Sequence, residues 1–168
     1  MRLSFFILLG FMLSAIPASA QFGFDGDGVI DVIAQEATYK GGVTILNGDV
    51  VVKQGDSTIT SDKMTIYRAE SANSRTALKL GEITRIVAEG AFVYDSPENK
   101  VTGDRGIYSR EKKQLDVFDN VVLIQPSGNL VKSDSLFYDL EAKRARFNNK
   151  CKGNECGRIN FELNNKNQ

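Results

Sequence analysis

Two sets of residues in this chain have types and spacings that could do chemistry: a pair of cysteines and a recurring aspartate. Cys151 and Cys156 are the only cysteines, spaced C-x4-C, with Gly153 and Gly157 placed to let the chain turn tightly. In an oxidising compartment an intrachain disulfide is the default for such a pair. The loop it closes is small, so the expected stabilisation is roughly 2 kcal/mol. A zinc site would need two further ligands, and the chain has no histidine and no other cysteine to supply them. The aspartates are Asp62, Asp104 and Asp134, each directly after a small residue, Ser61, Gly103 and Ser133. They could serve acid–base chemistry or a cation. They recur with a wider pattern, however, and so read as corners whose carboxylates bond nearby backbone N–H groups. Asp25-Gly-Asp27-Gly resembles the start of a calcium loop, with Glu36 at its twelfth position. Its fifth and sixth positions are Val29 and Ile30, where an oxygen ligand and a glycine are required.

The absence of histidine removes the usual triad base. No phosphate loop of the required spacing is present, nor a G-x-S-x-G or metalloprotease motif. Scattered carboxylates leave a glycosidase-type pair open, but the chain has no tryptophan for sugar stacking. The expectation is a protein that is not an enzyme, with no catalytic residue, metal or cofactor. Lys plus Arg and Asp plus Glu number 21 each, so no domain-wide field draws the chain to nucleic acid or to an anionic membrane.

The positions that could act must be held by strands. Residues 1–20 stand apart: Arg2 gives a positive start, Leu3 to Ile16 is apolar, and Pro17 ends the run. Ala18-Ser19-Ala20 then fits a small-x-small cleavage site. The run is short for a bilayer span, so it reads as a signal peptide with a mature start at Gln21; a retained anchor is the competing reading. Residues 21–28 form a Gly/Asp-rich lead-in. Residues 29–147 read as one all-β domain, rich in Val, Ile, Thr, Tyr and Phe and broken by Gly, Asn and Asp. Residues 69–77 read as a polar loop, with an extra strand near Ile83 to Val87. The tail, 148–168, carries the Cys pair and is expected to be ordered only around it.

An internal repeat organises the domain. Gly48, Gly90 and Asn120 each open a unit, with apolar residues at +2 and +4: Val50 and Val52, Phe92 and Tyr94, Val122 and Ile124. A branched aliphatic follows at +11 (Ile59, Val101, Val131), the aspartate at +14, and then an aromatic (Tyr67, Tyr108, Tyr138). Alternation along a strand puts the +2 and +4 residues on one face. The odd interval around the aspartate calls for a bulge or corner there. The predicted inward set is Val50, Val52, Met64, Ile66, Phe92, Tyr94, Tyr108, Val122, Ile124, Leu136 and Tyr138. These eleven positions would either pack as an ordinary core or line an apolar groove.

The stretch NGDVVVKQGDSTITSDKMTIYR (47–68) resembles the G-N-V-x-V-x-Q-G…I-x-A-D-K pattern of the lipopolysaccharide export protein A (LptA) family of the organic-solvent-tolerance (OstA-like) superfamily. Residues 101–147 continue it with G-D-x-x-x-Y, a polar turn, L-x-x-F/L-x-x-N-V-x-L and a second S-D-x-x-x-Y unit. The resemblance implies a twisted antiparallel β-jellyroll or V-shaped sheet stack in the periplasm. It implies that lipid A acyl chains of lipopolysaccharide ride in an apolar groove lined by the inward set. It also implies head-to-tail oligomers that bridge the inner-membrane export complex and the outer-membrane translocon. A non-catalytic β-solenoid scaffold and the membrane-anchored partner of the same pathway are the alternatives. N-terminal sequencing of the exported protein is expected to begin at Gln21; a chain that keeps Met1 is the anchored partner instead.

Overall fold

Runs in which Val, Ile, Thr and aromatic residues alternate with polar ones can bury one face and wet the other only as strands. The computed structural model describes residues 29–69 and 82–164, and within them the regular structure is all strand. The proposed signal peptide, the start at Gln21, the 21–28 lead-in and most of the polar loop lie outside the described residues. The strands are β1 (Ile30–Ile33), β2 (Glu36–Lys40), β3 (Val43–Gln54), β4 (Ser57–Arg68), β5 (Ile83–Asp95) and β6 (Lys100–Ser109). They continue with β7 (Gln114–Ile124), β8 (Leu130–Asp139), β9 (Arg144–Asn148), β10 (Cys151–Lys152), β11 (Glu155–Cys156) and β12 (Asn160–Glu162). The strand expected near Ile83 to Val87 is the first half of β5.

One antiparallel sheet of ten strands runs β1-β3-β4-β5-β6-β7-β8-β12, with β2 also on β3 and β9 also on β8. The register slips at matching places on β3, β5 and β7, between Asn47 and Val50, Glu89 and Phe92, and Phe118 and Val121. At each slip two successive residues have positive φ: Gly48 (77°) and Asp49 (45°), Gly90 (77°) and Ala91 (43°), Asp119 (61°) and Asn120 (53°). Gly, Asp and Asn tolerate this left-handed region; Ala91 does so at a cost. The small-residue–Asp steps of β4, β6 and β8 lie opposite the slips. Facing resets there, so that on β4 the buried residues are Ile59, Ser61, Met64 and Ile66. The corner expected at that step is present, and its extra residue is carried by the neighbouring strand.

The bulges form a row that folds the sheet on itself. Residues 43–47, 63–68, 83–89, 105–109, 114–118 and 135–139 make one leaf, edged by β2 and β9. Residues 50–54, 57–60, 92–95, 100–102, 121–124 and 130–133 make the other, edged by β1 and β12. The buried residues of both leaves form a single cluster. Phe92 of the second leaf lies on Gly106 of the first: a Cβ at Gly106 would stand 2.3–2.6 Å from its ring atoms. The tail is ordered beyond its cysteines, because β12 pairs with β8.

Gly106→Val is expected to destabilise the fold by about 1–3 kcal/mol through overpacking against Phe92. Ala91→Gly, which relieves a left-handed alanine, is expected to stabilise it by about 0.5–1 kcal/mol. Urea unfolding midpoints at constant slope check both.

Candidate functional site

Three rows of side chains cross the interior from edge to edge, and a shorter one at the corner of the second leaf holds Val50, Ser61, Phe92, Val121 and Ser133. On the second leaf the long row is Val32, Val52, Ile59, Tyr94, Val101, Leu123, Val131 and Phe161. On the first leaf, nearest the corner, it is Ala37, Leu46, Met64, Ala88, Gly106, Val117, Leu136 and Phe147. The next row out is Tyr39, Thr44, Ile66, Ile86, Tyr108, Leu115, Tyr138 and Ala145. Each of these three is almost wholly apolar. Middle members are buried, while Val32 and Tyr39 are 41% exposed at one end and Phe161 is 56% exposed at the other.

Of the eleven predicted inward residues, Val50, Val52, Met64, Ile66, Phe92, Tyr94, Tyr108 and Leu136 are in the buried core, and Tyr138 packs against it. Val122 and Ile124 are placed on the other face. Ile124 is 37% exposed, and Val121 and Leu123 are buried in their stead. The cause is the position of the third bulge. Its left-handed pair is Asp119-Asn120, so the unit opens at Asp119, one residue earlier than the repeat suggests. The connection 125–129 is one residue longer than the spacing of the other units requires, which restores the match at Val131 and hides the offset. Ile59, Val101 and Val131, the +11 aliphatics, are also buried. So are Leu46, Ile86, Leu115 and Val117, which the repeat did not single out. Alternation around Leu115-Asp116-Val117 carried that signal.

The aspartates stay at the corner, away from the inner rows. Asn120 Nδ2 donates to Asp104 Oδ2 at 2.8 Å, and Gln35 Nε2 donates to Asp49 Oδ2 at 2.8 Å. Asp134 accepts the Lys150 backbone N–H at 2.6 Å, and its own N–H donates to Asn149 Oδ1 at 2.7 Å. The Asp62 carboxylate occupies the space beside Gly90 where a side chain would otherwise sit. Ser61 and Ser133 donate to the carbonyls of Lys63 and Ser135, satisfying hydroxyls that are buried at the corner. Among the described residues no group of three or more His, Cys, Asp or Glu is placed to hold a metal ion.

The rims opposite the corner carry tyrosines. Burial pushes the Tyr94 phenol above its ordinary pKa, and its hydroxyl donates to Ser57 Oγ at 3.3 Å. Tyr138 is raised first by burial and then by the fields of Glu98 and Tyr94. Tyr138 is on the first leaf and packs against the buried cluster to which Tyr94 of the second leaf belongs. Strand pairing joins the leaves only through the corner among the described residues. Cys151 and Cys156 are disulfide-bonded within the chain, directly opposite each other on the β10–β11 ribbon.

The site is therefore an apolar interior between two leaves of one folded sheet, with sheet edges at both ends among the described residues. The sequence matches the family described as LptA/(LptD N-terminal domain) LPS transport protein over residues 30–144. The chain belongs to this family. Its fold matches the crystal structure of LptH, the LptA homologous periplasmic component of the conserved lipopolysaccharide transport device from Pseudomonas aeruginosa. The TM-score is 0.65 at 21% identity, covering 82% of this chain and 96% of that one. At that identity the likeness establishes the fold. Comparison with curated proteins finds no match. The LptA-like resemblance carried by residues 47–68 and 101–147 is thus upheld, and with it the all-β antiparallel class and a role in lipopolysaccharide transport.

For this LptA-family chain the corrected facing has a direct check. Leu123→Ala is expected to cost about 2–4 kcal/mol and Ile124→Ala under about 0.5 kcal/mol in denaturant unfolding. Replacing both cysteines by serine is expected to cost about 2 kcal/mol or less, because the closed loop is small.

Proposed function

We propose that this chain is a periplasmic carrier of lipopolysaccharide that holds the lipid A acyl chains between its two leaves and leaves the sugars in water. Copies join head to tail and bridge the inner-membrane export complex and the outer-membrane translocon. The observation that carries this reading is the continuity of the inner rows, which are apolar from edge strand to edge strand and end on exposed Val32 and Tyr39 on one side and Phe161 on the other.

The corner is tied by backbone ladders, whereas no ladder joins the opposite rims among the described residues. Acyl chains therefore enter by parting the rims, exchanging contacts between side chains for contacts with methylenes. Each buried methylene contributes roughly 0.8 kcal/mol, so a chain of about twelve carbons could gain on the order of 10 kcal/mol before costs. Equivalent interiors in successive copies are nearly equal in energy, so net movement is driven by supply from an energised inner-membrane partner. Among the described residues β1 and β2 at one end and β9 and β12 at the other are the outermost strands, the places for strand addition. A contact between opposite ends is heterologous and does not close, which produces a filament.

A second reading, a β scaffold with no ligand, is favoured by the near-zero exposure of the inner residues, among them Val50, Val52, Met64 and Val101. Photocrosslinking decides between them. A crosslinking residue at Phe92 or Leu123 is expected to capture lipopolysaccharide in cells, and one at Val122, on the outer face, is not. No capture from any inward position leaves the scaffold. Light scattering is expected to show oligomers that grow with concentration; a chain that remains monomeric throughout contradicts the head-to-tail bridge.

A further inference from the structure

We propose that Phe147 and Phe161 form an aromatic gate at the C-terminal mouth of the interior, with Phe161 as the moving half, and that this gate sets how fast an acyl chain leaves. The proposal rests on the lipid-carrying reading above and adds the residues that control exit.

Phe147 stands opposite Leu136, at the end of the inner row of the first leaf. Phe161 stands opposite Val131, at the end of the inner row of the second leaf. Their rings meet edge to face, with centroids 6.3 Å apart and planes at 81°. One aromatic side chain from each leaf therefore spans the gap where the two rows run out. A chain sliding between the leaves in this direction must break that contact.

The two halves are anchored unequally. Phe147 sits on β9, which pairs with β8 over five positions and follows it through a short turn. Phe161 sits on β12, which pairs over three positions, and every residue of β12 is exposed. Beyond the ladder, the strand is tied down by a half-exposed Lys132–Glu162 ion pair at 3.0 Å and by Asn164 bonding Asn129 and Ser127. Such contacts in water are weak. The root of the segment is firmer. The disulfide closes the ribbon before it, Lys150 is bonded to Asp134 at the corner, Gly157 N–H donates to the Lys150 carbonyl, and Ile159 packs on the core. Residues 160–164 can thus lift while their root stays in place. Lifting withdraws Phe161 from Phe147 and bares the β8 edge at residues 130–132, so opening the mouth and freeing an edge for the next copy are one movement.

The test uses the full exported chain loaded with fluorescently labelled lipopolysaccharide, with release followed into an excess of unlabelled chain. Phe161→Ala is expected to speed release about tenfold, scored as a rate per loaded molecule so that a change in the amount loaded does not enter. Phe161→Tyr, which keeps a ring, is expected to hold the wild-type rate. Glu162→Ala, which loosens β12 and leaves both rings, is expected to speed release in the same direction. Hydrogen exchange at residues 130–132 is expected to quicken in Phe161→Ala, reporting the lifted strand. Release from Phe161→Ala at the wild-type rate per loaded molecule, from a wild-type chain that does take up lipopolysaccharide, overturns the gate alone. A wild-type chain that takes up no lipopolysaccharide overturns the carrying reading and the gate together.

Discussion

A wide sheet has to hide one face from water without breaking its ladder of backbone hydrogen bonds, and every other feature of this molecule depends on how that is done. The sheet folds along a line of bulges carried by β3, β5 and β7, each a pair of left-handed residues. Because the surplus residue recurs at one height on alternate strands, the bends add up to a crease, and the same strands supply both walls of the interior. The small residues and aspartates opposite the bulges fill what the crease leaves over. Gly103 avoids a Cβ that would stand 2.6 Å from Val117, and Asp104 and Asp134 accept donors that the ladder cannot serve.

The crease makes the interior asymmetric. Along the corner the walls share covalent chain and hydrogen bonds and cannot separate. Along the rims no ladder joins them among the described residues, and side chains such as Tyr94 and Tyr138 pack into the shared core instead. Outside, cross-strand ion pairs such as Lys63–Glu89 and Lys100–Asp95 lie directly opposite one another in register, half exposed. Each adds little stability, but together they keep the outer face wetted and the two sides of the sheet distinct. The lengthwise ends differ from both: among the described residues the sheet closes there on short edge strands whose apolar residues, such as Val32 and Phe161, are exposed.

Much of this was legible before the fold was known. Spacing alone located Gly48-Val50-Val52 and Gly90-Phe92-Tyr94 as turn and inner face and the aspartates as corners, whereas the Cys151–Cys156 pairing was a default that the fold had to decide. The third unit misled because Asp119 and Asn120 are equally able to take positive φ, and a longer connection restored the spacing at Val131. A shift of one residue along a strand turns a side chain to the opposite face, so Val122 and Ile124 exchanged places with Val121 and Leu123. β12 was not legible at all. Asn160-Phe161-Glu162 has no strand signature of its own, and its conformation comes from the open edge of β8.

Local pattern was therefore enough for what depends on neighbours along the chain: extended structure, and the alternation of faces and the turn residues in the first two units. Contacts between residues distant in sequence required the folded molecule. The meeting of the leaves, the seating of Phe92 on Gly106, the packing of Tyr138 on the core and the pairing of Phe147 with Phe161 all depend on how far the crease closes. That angle is set by packing summed over the whole interior, which is why no single stretch of residues encodes it.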